Sequence, residues 1–201
     1  MKQRLAALRY FVGALALNLA FGLVAIAQQT AGGQQPAAQQ PPPKEYAKSR
    51  IEGMVYEWTR ARNYTKEYLD AMPEDGVGFK PTPDIRSFAE QMLHLASANF
   101  GFGARLTGQT NPYAGKNLEK MDEFKTKAAL TKLVLESYDF MLNGIQKLED
   151  AKLDTRAAVA GMNRPLTALF AAAFEHQTHH RGQTTIYLRL KGVTPPGEKL
   201  Y

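Results

Sequence analysis

Between Lys44 and Lys191 apolar side chains return every three or four residues in four separate runs. That spacing gives each run one apolar face of an α-helix, and four such faces are buried most simply against one another. The first run, Lys44 to Ala71, carries Ala47, Ile51, Met54, Val55, Trp58, Ala61, Tyr68 and Leu69. The Pro-, Gly- and acid-rich stretch at 72–84 reads as a loop. Ser87 and Glu90 then match a capping box, opening a second helix that ends near Leu106 with Gly108 just beyond. Residues 107–125 are polar, with room for a short helical turn. A third run starts near Thr126 and spaces Leu130, Leu133, Val134, Ser137, Tyr138, Met141, Ile145 and Leu148 for burial. The fourth begins near Pro165, placed at a first helical position, and stops at Lys191 before Gly192 and Pro195-Pro196. No segment sustains alternation with β-branched residues. The predicted fold is all-α, an antiparallel four-helix bundle spanning 44–201.

What precedes the bundle has a different character. Residues 1–27 open with Lys2, Arg4 and Arg9, run uncharged from Phe11, and close on Ala25-Ile26-Ala27. A basic start, an apolar middle and a small-x-small end describe a secretory signal peptide, with cleavage expected after Ala27. The chain is therefore expected to be periplasmic or secreted. If the segment is retained, it is the chain's one route to a membrane. Residues 28–43 hold six Gln and four Pro and no charge, the composition of a disordered linker.

There is no cysteine, which excludes disulfides, a thiolate nucleophile and a zinc ribbon. The formal charge is +6, and residues 1–27 carry three basic and no acidic side chains, leaving +3 on the remainder. The basic residues of that remainder are interspersed with acidic ones, so no nucleic-acid face is expected.

Three of the four histidines fall within His176–His180. His176 and His180 are i and i+4 on the fourth helix, one above the other on one face. Two imidazoles so spaced can share a metal ion. Metal sites in bundles are assembled from facing helices, and His94, between Leu93 and Leu95 on the second helix, is the remaining candidate. Taken singly each residue has an ordinary reading: a histidine among leucines is commonly a hydrogen-bonded core residue, and His-x-x-x-His alone is a weak motif. The metal ligands predicted are His94, His176 and His180. His179 is expected beside the site or facing a groove. Gln183, on the same stripe, is expected to fix an imidazole tautomer or bond a coordinated water. Gly182 suggests a helix or ligand close to the backbone, since helical glycine costs about 1 kcal/mol relative to alanine. Arg181 is expected at the surface. Gln91 and Ser97, near the His94 face, could orient a ligand, whereas Glu90 reads as a cap and Glu175 as solvent-facing.

Two blocks carry a family resemblance. "AFEHQTHHRGQTTIYLRLKGVTPP" resembles the C-terminal helix of the DinB/YfiT-like family, where the last of the paired histidines runs into Arg-Gly-Gln. "MPEDGVGFKPTPDIRSFAEQMLHLASANF" resembles its other block, a loop followed by Ser-Phe-x-Glu and a histidine. The resemblance implies a helical bundle with a divalent metal on His94, His176 and His180, zinc or nickel foremost and iron or manganese as further candidates. It also implies homodimers as an option, and thiol-dependent S-transferases or isomerases among better understood relatives.

Two function classes follow. One is a metal-dependent transferase (thiol S-transferase-like) or hydrolase acting on a small molecule. The other is a non-enzymatic envelope protein that binds metal or a small ligand, which needs the same histidines but no general base.

Overall fold

The computed structural model describes residues 49–200 apart from Ala160. The expected signal peptide, the linker and the first residues of the first helical run (44–48) lie outside the described residues. Four long helices dominate: α1 (Arg50–Ala71), α2 (Phe88–Thr107), α3 (Lys127–Ile145) and α4 (Leu166–Leu190). The molecule is an all-α bundle, as the four apolar faces require.

The ends of the helices follow from local chemistry. Ser49 starts α1 by accepting from the Glu52 amide. Ser87 and Glu90 form the full capping box on α2, which ends at Gly108 with φ 78°. Thr126 caps α3 through the Ala129 amide. α4 differs by one position from expectation: Pro165 is its N-cap, at φ −57° and ψ 147°, because it also ends a short strand. That strand belongs to an antiparallel hairpin of β1 (Arg156–Val159) and β2 (Met162–Pro165), which the sequence reading did not anticipate. Its eight strand residues lack the alternating β-branched signature, and Gly161 at φ 78° supplies the turn. The polar stretch 107–125 contains two single turns of 3-10 helix, Leu118–Lys120 and Asp122–Phe124.

α2 packs on both α3 and α4, and α1 closes the ring against the same two helices. Polar bonds fix the seams: Arg62 to Asp139 at 2.7 Å joins α1 to α3, and Asn99 to Ser137 at 3.2 Å joins α2 to α3. The loop from α1 to α2 is stitched onto α2 by the Phe88 and Ala89 amides, which donate to Phe79 and Val77. The core holds Trp58, Tyr138, Phe88, Leu69 and Met92, all essentially buried. Burying an aromatic of this size contributes about 2–3 kcal/mol.

The end of α2 packs tightly on α3 at Gly144. A Cβ there would stand 2.7 Å from Thr107 Cβ, so the side chains of the α2 terminus would have to move. Gly144→Ala is expected to destabilise by about 1–3 kcal/mol through overpacking, against the gain alanine gives an exposed helix. Urea denaturation checks this; an unchanged midpoint would mean that the α2 terminus yields freely.

Candidate metal centre

His94 lies in the first half of α2, and His176 and His180 one turn apart on α4. The three rings converge: centroids are 4.5 Å apart for His94–His180, 4.4 Å for His176–His180 and 5.3 Å for His94–His176. One nitrogen from each falls within 4.8 Å of the others, so the cluster can hold one metal ion. The α2–α4 contact produces this by bringing the middle of α4 against the first half of α2.

Each ring has its own surroundings. His94 Nδ1 lies 2.7 Å from Glu119 Oε1, and Arg86 Nε donates to Glu119 Oε2 at 2.7 Å. Burial raises the Glu119 carboxyl, but the bonds from Arg86 and His94 outweigh it and leave the group below its ordinary range. An ionised carboxylate accepts from Nδ1–H and leaves the unprotonated Nε2 of His94 to ligate a metal, a carboxylate–histidine arrangement found behind metal ligands. The Gln91 amide nitrogen, buried, donates to His180 Nδ1 at 3.1 Å. Gln91 can serve either tautomer, since its oxygen would accept from a protonated Nδ1. His176 Nδ1 is the one buried side-chain polar atom without a hydrogen-bond partner among the described residues. Leaving such a nitrogen unpaired costs about 1–3 kcal/mol, which coordination to a cation would offset.

Burial is the main cause that lowers both His176 and His180, followed for each by the neighbouring imidazoles; Arg86 adds to the effect on His180, which falls to about 4. Both rings are therefore neutral at pH 7, the form that binds metal. The unfolded His180 takes up its proton near the ordinary value of 6.5, before the folded one does. Its contribution to stability is thus complete above pH about 6.5 and is lost as pH falls towards 4. Chelator-treated protein is expected to show a urea midpoint that declines across that window, and His180→Asn to flatten the decline. A midpoint independent of pH there would contradict the burial of His180.

The structure corrects the expectations for Arg181, Gln183 and Gly182 and meets those for His179, Glu90 and Glu175. The buried face of α4 is centred on Ala173, Gln177 and Thr184, with His176 and His180 at its margin towards α2. Arg181 is consequently inside: it is buried, donates to Gln177 Oε1 at 2.9 Å, and sits 4.5 Å over the Tyr64 ring. Gln183 is exposed rather than on the interior stripe, and its amide donates to His179 Nε2 at 2.9 Å. Gly182 faces open space, with nothing within 4 Å of an added Cβ, so no close approach explains it. His179 is exposed, outside the cluster, and lines a groove of about 930 Å³ between α1 and α4 that includes none of the three clustered histidines. Glu90 caps α2 and pairs with Lys80 at 3.0 Å, and Glu175 is exposed. Ser97 is half-buried, and its side chain makes no hydrogen bond among the described residues. Sequence reasoning missed Glu119 altogether. Its only local sign was Asn117, which accepts from the Glu119 amide and starts the turn that presents it.

Comparison with known proteins supports this architecture. The family model described as the DinB family matches residues 47–200. The chain is 26% identical over 137 residues to the uncharacterized protein YjoA of Bacillus subtilis (strain 168), covering 66% of this chain and 85% of that one. The crystal structure of a DinB-like protein from Bacillus cereus ATCC 10987 superimposes with a TM-score of 0.63 at 21% identity, covering 74% of this chain and 97% of that chain. The crystal structure of YjoA gives 0.57 at 20% identity, covering 72% and 95%. A conserved protein from Enterococcus faecalis gives 0.59 at 15% identity, covering 72% and 98%. A match over this length, on a four-helix bundle whose second and fourth helices bring three histidines together, makes the chain a member of the DinB family.

Proposed function

We propose that this is an exported, metal-dependent enzyme acting on a small molecule, with His94, His176 and His180 as the ligands of one divalent ion. The observation that carries the reading is the convergence of one nitrogen from each of three imidazoles within 4.8 Å, one ring backed by a carboxylate and one by a buried amide. Three nitrogen ligands suit zinc or nickel, with iron or manganese compatible, and leave a coordination position open. When bound, the ion supplies Lewis-acid polarisation and an activated nucleophile near neutral pH. The chain's own residues do the rest. Glu119 orients His94, Arg86 keeps Glu119 ionised, Gln91 orients His180, and burial keeps His176 and His180 neutral. Attack on an electrophilic substrate by a thiol or by water is the reaction class, a transferase or a hydrolase. The export half of the proposal rests on residues 1–27.

One observation favours a second reading, a non-enzymatic metal- or ligand-binding envelope protein. Glu119 is committed to Arg86 and His94, and Glu90 to Ser87 and Lys80, so neither carboxylate is a free general base.

Elemental analysis of residues 28–201, purified without a histidine tag, tests the metal centre. About one equivalent of a divalent transition metal is expected per chain, as a single three-ligand site requires. Absence of metal after reconstitution would sink the reading. Turnover that depends on the ion and is lost in His180→Ala would separate the enzyme from the binding protein.

A further inference from the structure

A cavity of about 800 Å³ opens between the loop before α2, the first turns of α2, the Glu119 turn and the last turns of α4. Three of the residues lining it are hydrogen-bond partners of histidines: Glu119 of His94 at 2.7 Å, Gln91 of His180 at 3.1 Å, and Gln183 of His179 at 2.9 Å. A molecule in this cavity would rest against the groups that orient two of the three clustered rings. Its size is that of a small-ligand pocket.

The lining also indicates what kind of molecule fits. Ile85 and Ile186 both face it and are 44% and 57% exposed, large apolar side chains that gain by being covered. The two cations in the wall are already compensated, Lys80 by Glu90 at 3.0 Å and Arg86 by Glu119 at 2.7 Å. Asp84, on the same wall, is exposed and has no ion-pair or hydrogen-bond partner among the described residues. The charge left over in the cavity is therefore a single negative one, beside an apolar surface.

We propose that this cavity binds a small organic cation, an amine or ammonium carried on an apolar group. The apolar group covers Ile85 and Ile186, and the cationic head lies at Asp84. An anionic ligand would meet only cations whose charge Glu90 and Glu119 already neutralise, and would be repelled by Asp84. That the bound molecule is the substrate rests on the metal-centre proposal; its charge class does not.

Two probes of equal chain length and opposite permanent charge, hexyltrimethylammonium and hexanesulfonate, test the proposal, since neither is a good metal ligand. Binding to residues 28–201 as purified is followed by amide shifts in two-dimensional NMR. Hexyltrimethylammonium is expected to bind about fivefold more tightly, the scale of one solvent-exposed charge contact, with shifts centred on Ile85 and Ile186. Asp84→Asn should bring the two probes within about twofold of each other. Ile186→Asn should weaken both, by about threefold or more for the loss of a covered side chain. Tighter binding of the sulfonate, a preference unchanged in Asp84→Asn, or shifts elsewhere on the molecule would overturn the proposal. The metal reading is judged separately on the same sample. Cobalt(II) uptake with a visible spectrum that changes on adding hexyltrimethylammonium ties the cavity to the histidines. Amine-selective binding without cobalt uptake would uphold the cavity's class while removing the metal centre.

Discussion

His180→Ala is expected to weaken binding of a divalent transition metal by at least about a hundredfold, because it removes a ligand, whereas outer-shell changes cost about 10–100-fold. Its ring is the hub of the cluster, 4.4 Å from His176 and 4.5 Å from His94. Glu119→Gln should fall in the outer-shell range. The amide oxygen can still accept from His94 Nδ1, but the charge that raises the basicity of the imidazole is gone and Arg86 loses its partner. Gln183→Ala should change affinity by less than about twofold, since that side chain is exposed and touches His179 outside the cluster. Competition against a chromophoric chelator at neutral pH measures all three, with circular dichroism confirming helicity. Full affinity in His180→Ala would end the three-histidine proposal. Equal losses in Gln183→Ala and Glu119→Gln would move the ion towards His179 and Gln183.

The ordering of these variants shows where the sequence was informative. Helices and caps were legible because their signals are local: Ser87 with Glu90, Thr126, and Gly108 at a left-handed terminus each act within a few residues. The pairing of His176 with His180 was legible for the same reason, and His94 followed from being the one histidine left. Orientation around α4 was not. Its face carries Gln177, Arg181 and Thr184 in the interior, so apolar residues alone point to the wrong centre of the buried arc. Taking the histidines as that centre turned the helix towards Gln183 and sent Arg181 to the surface. Glu119 was invisible for a different reason. It reaches His94 across 25 residues from a single 3-10 turn, a contact set by loop geometry. The hairpin at 156–165 escaped because eight residues and a glycine turn carry no period.

The interior polar residues that misled the pattern make the second large prediction. Gln177 is fully buried, and its Oε1 accepts from Tyr138 Oη at 2.8 Å and from Arg181 at 2.9 Å. Tyr138 is equally buried, its phenol is pushed up to about 12 by desolvation, and it shares a 2.7 Å bond with Thr65 of α1. One amide oxygen thus joins α4 to α3, and through Tyr138 to α1, while partnering a buried guanidinium that has no carboxylate among the described residues. Gln177→Leu would fill the space yet remove the amide acceptor of Arg181, while the phenol keeps its bond with Thr65. Removing the partner of a buried charge costs about 3–5 kcal/mol. Gln177→Glu keeps an acceptor for both donors and adds a charge opposite Arg181, so its loss should stay within about 1 kcal/mol. Paired urea denaturation curves distinguish the two. A loss in Gln177→Leu no larger than in Gln177→Glu would mean that the Tyr64 ring alone holds the guanidinium. Because Gln177 lies between His176 and His180 on α4, the bond it accepts from Tyr138 of α3 resists rotation of α4 about its axis. A loosened Gln177 should therefore also weaken metal binding, even though it touches none of the clustered histidines.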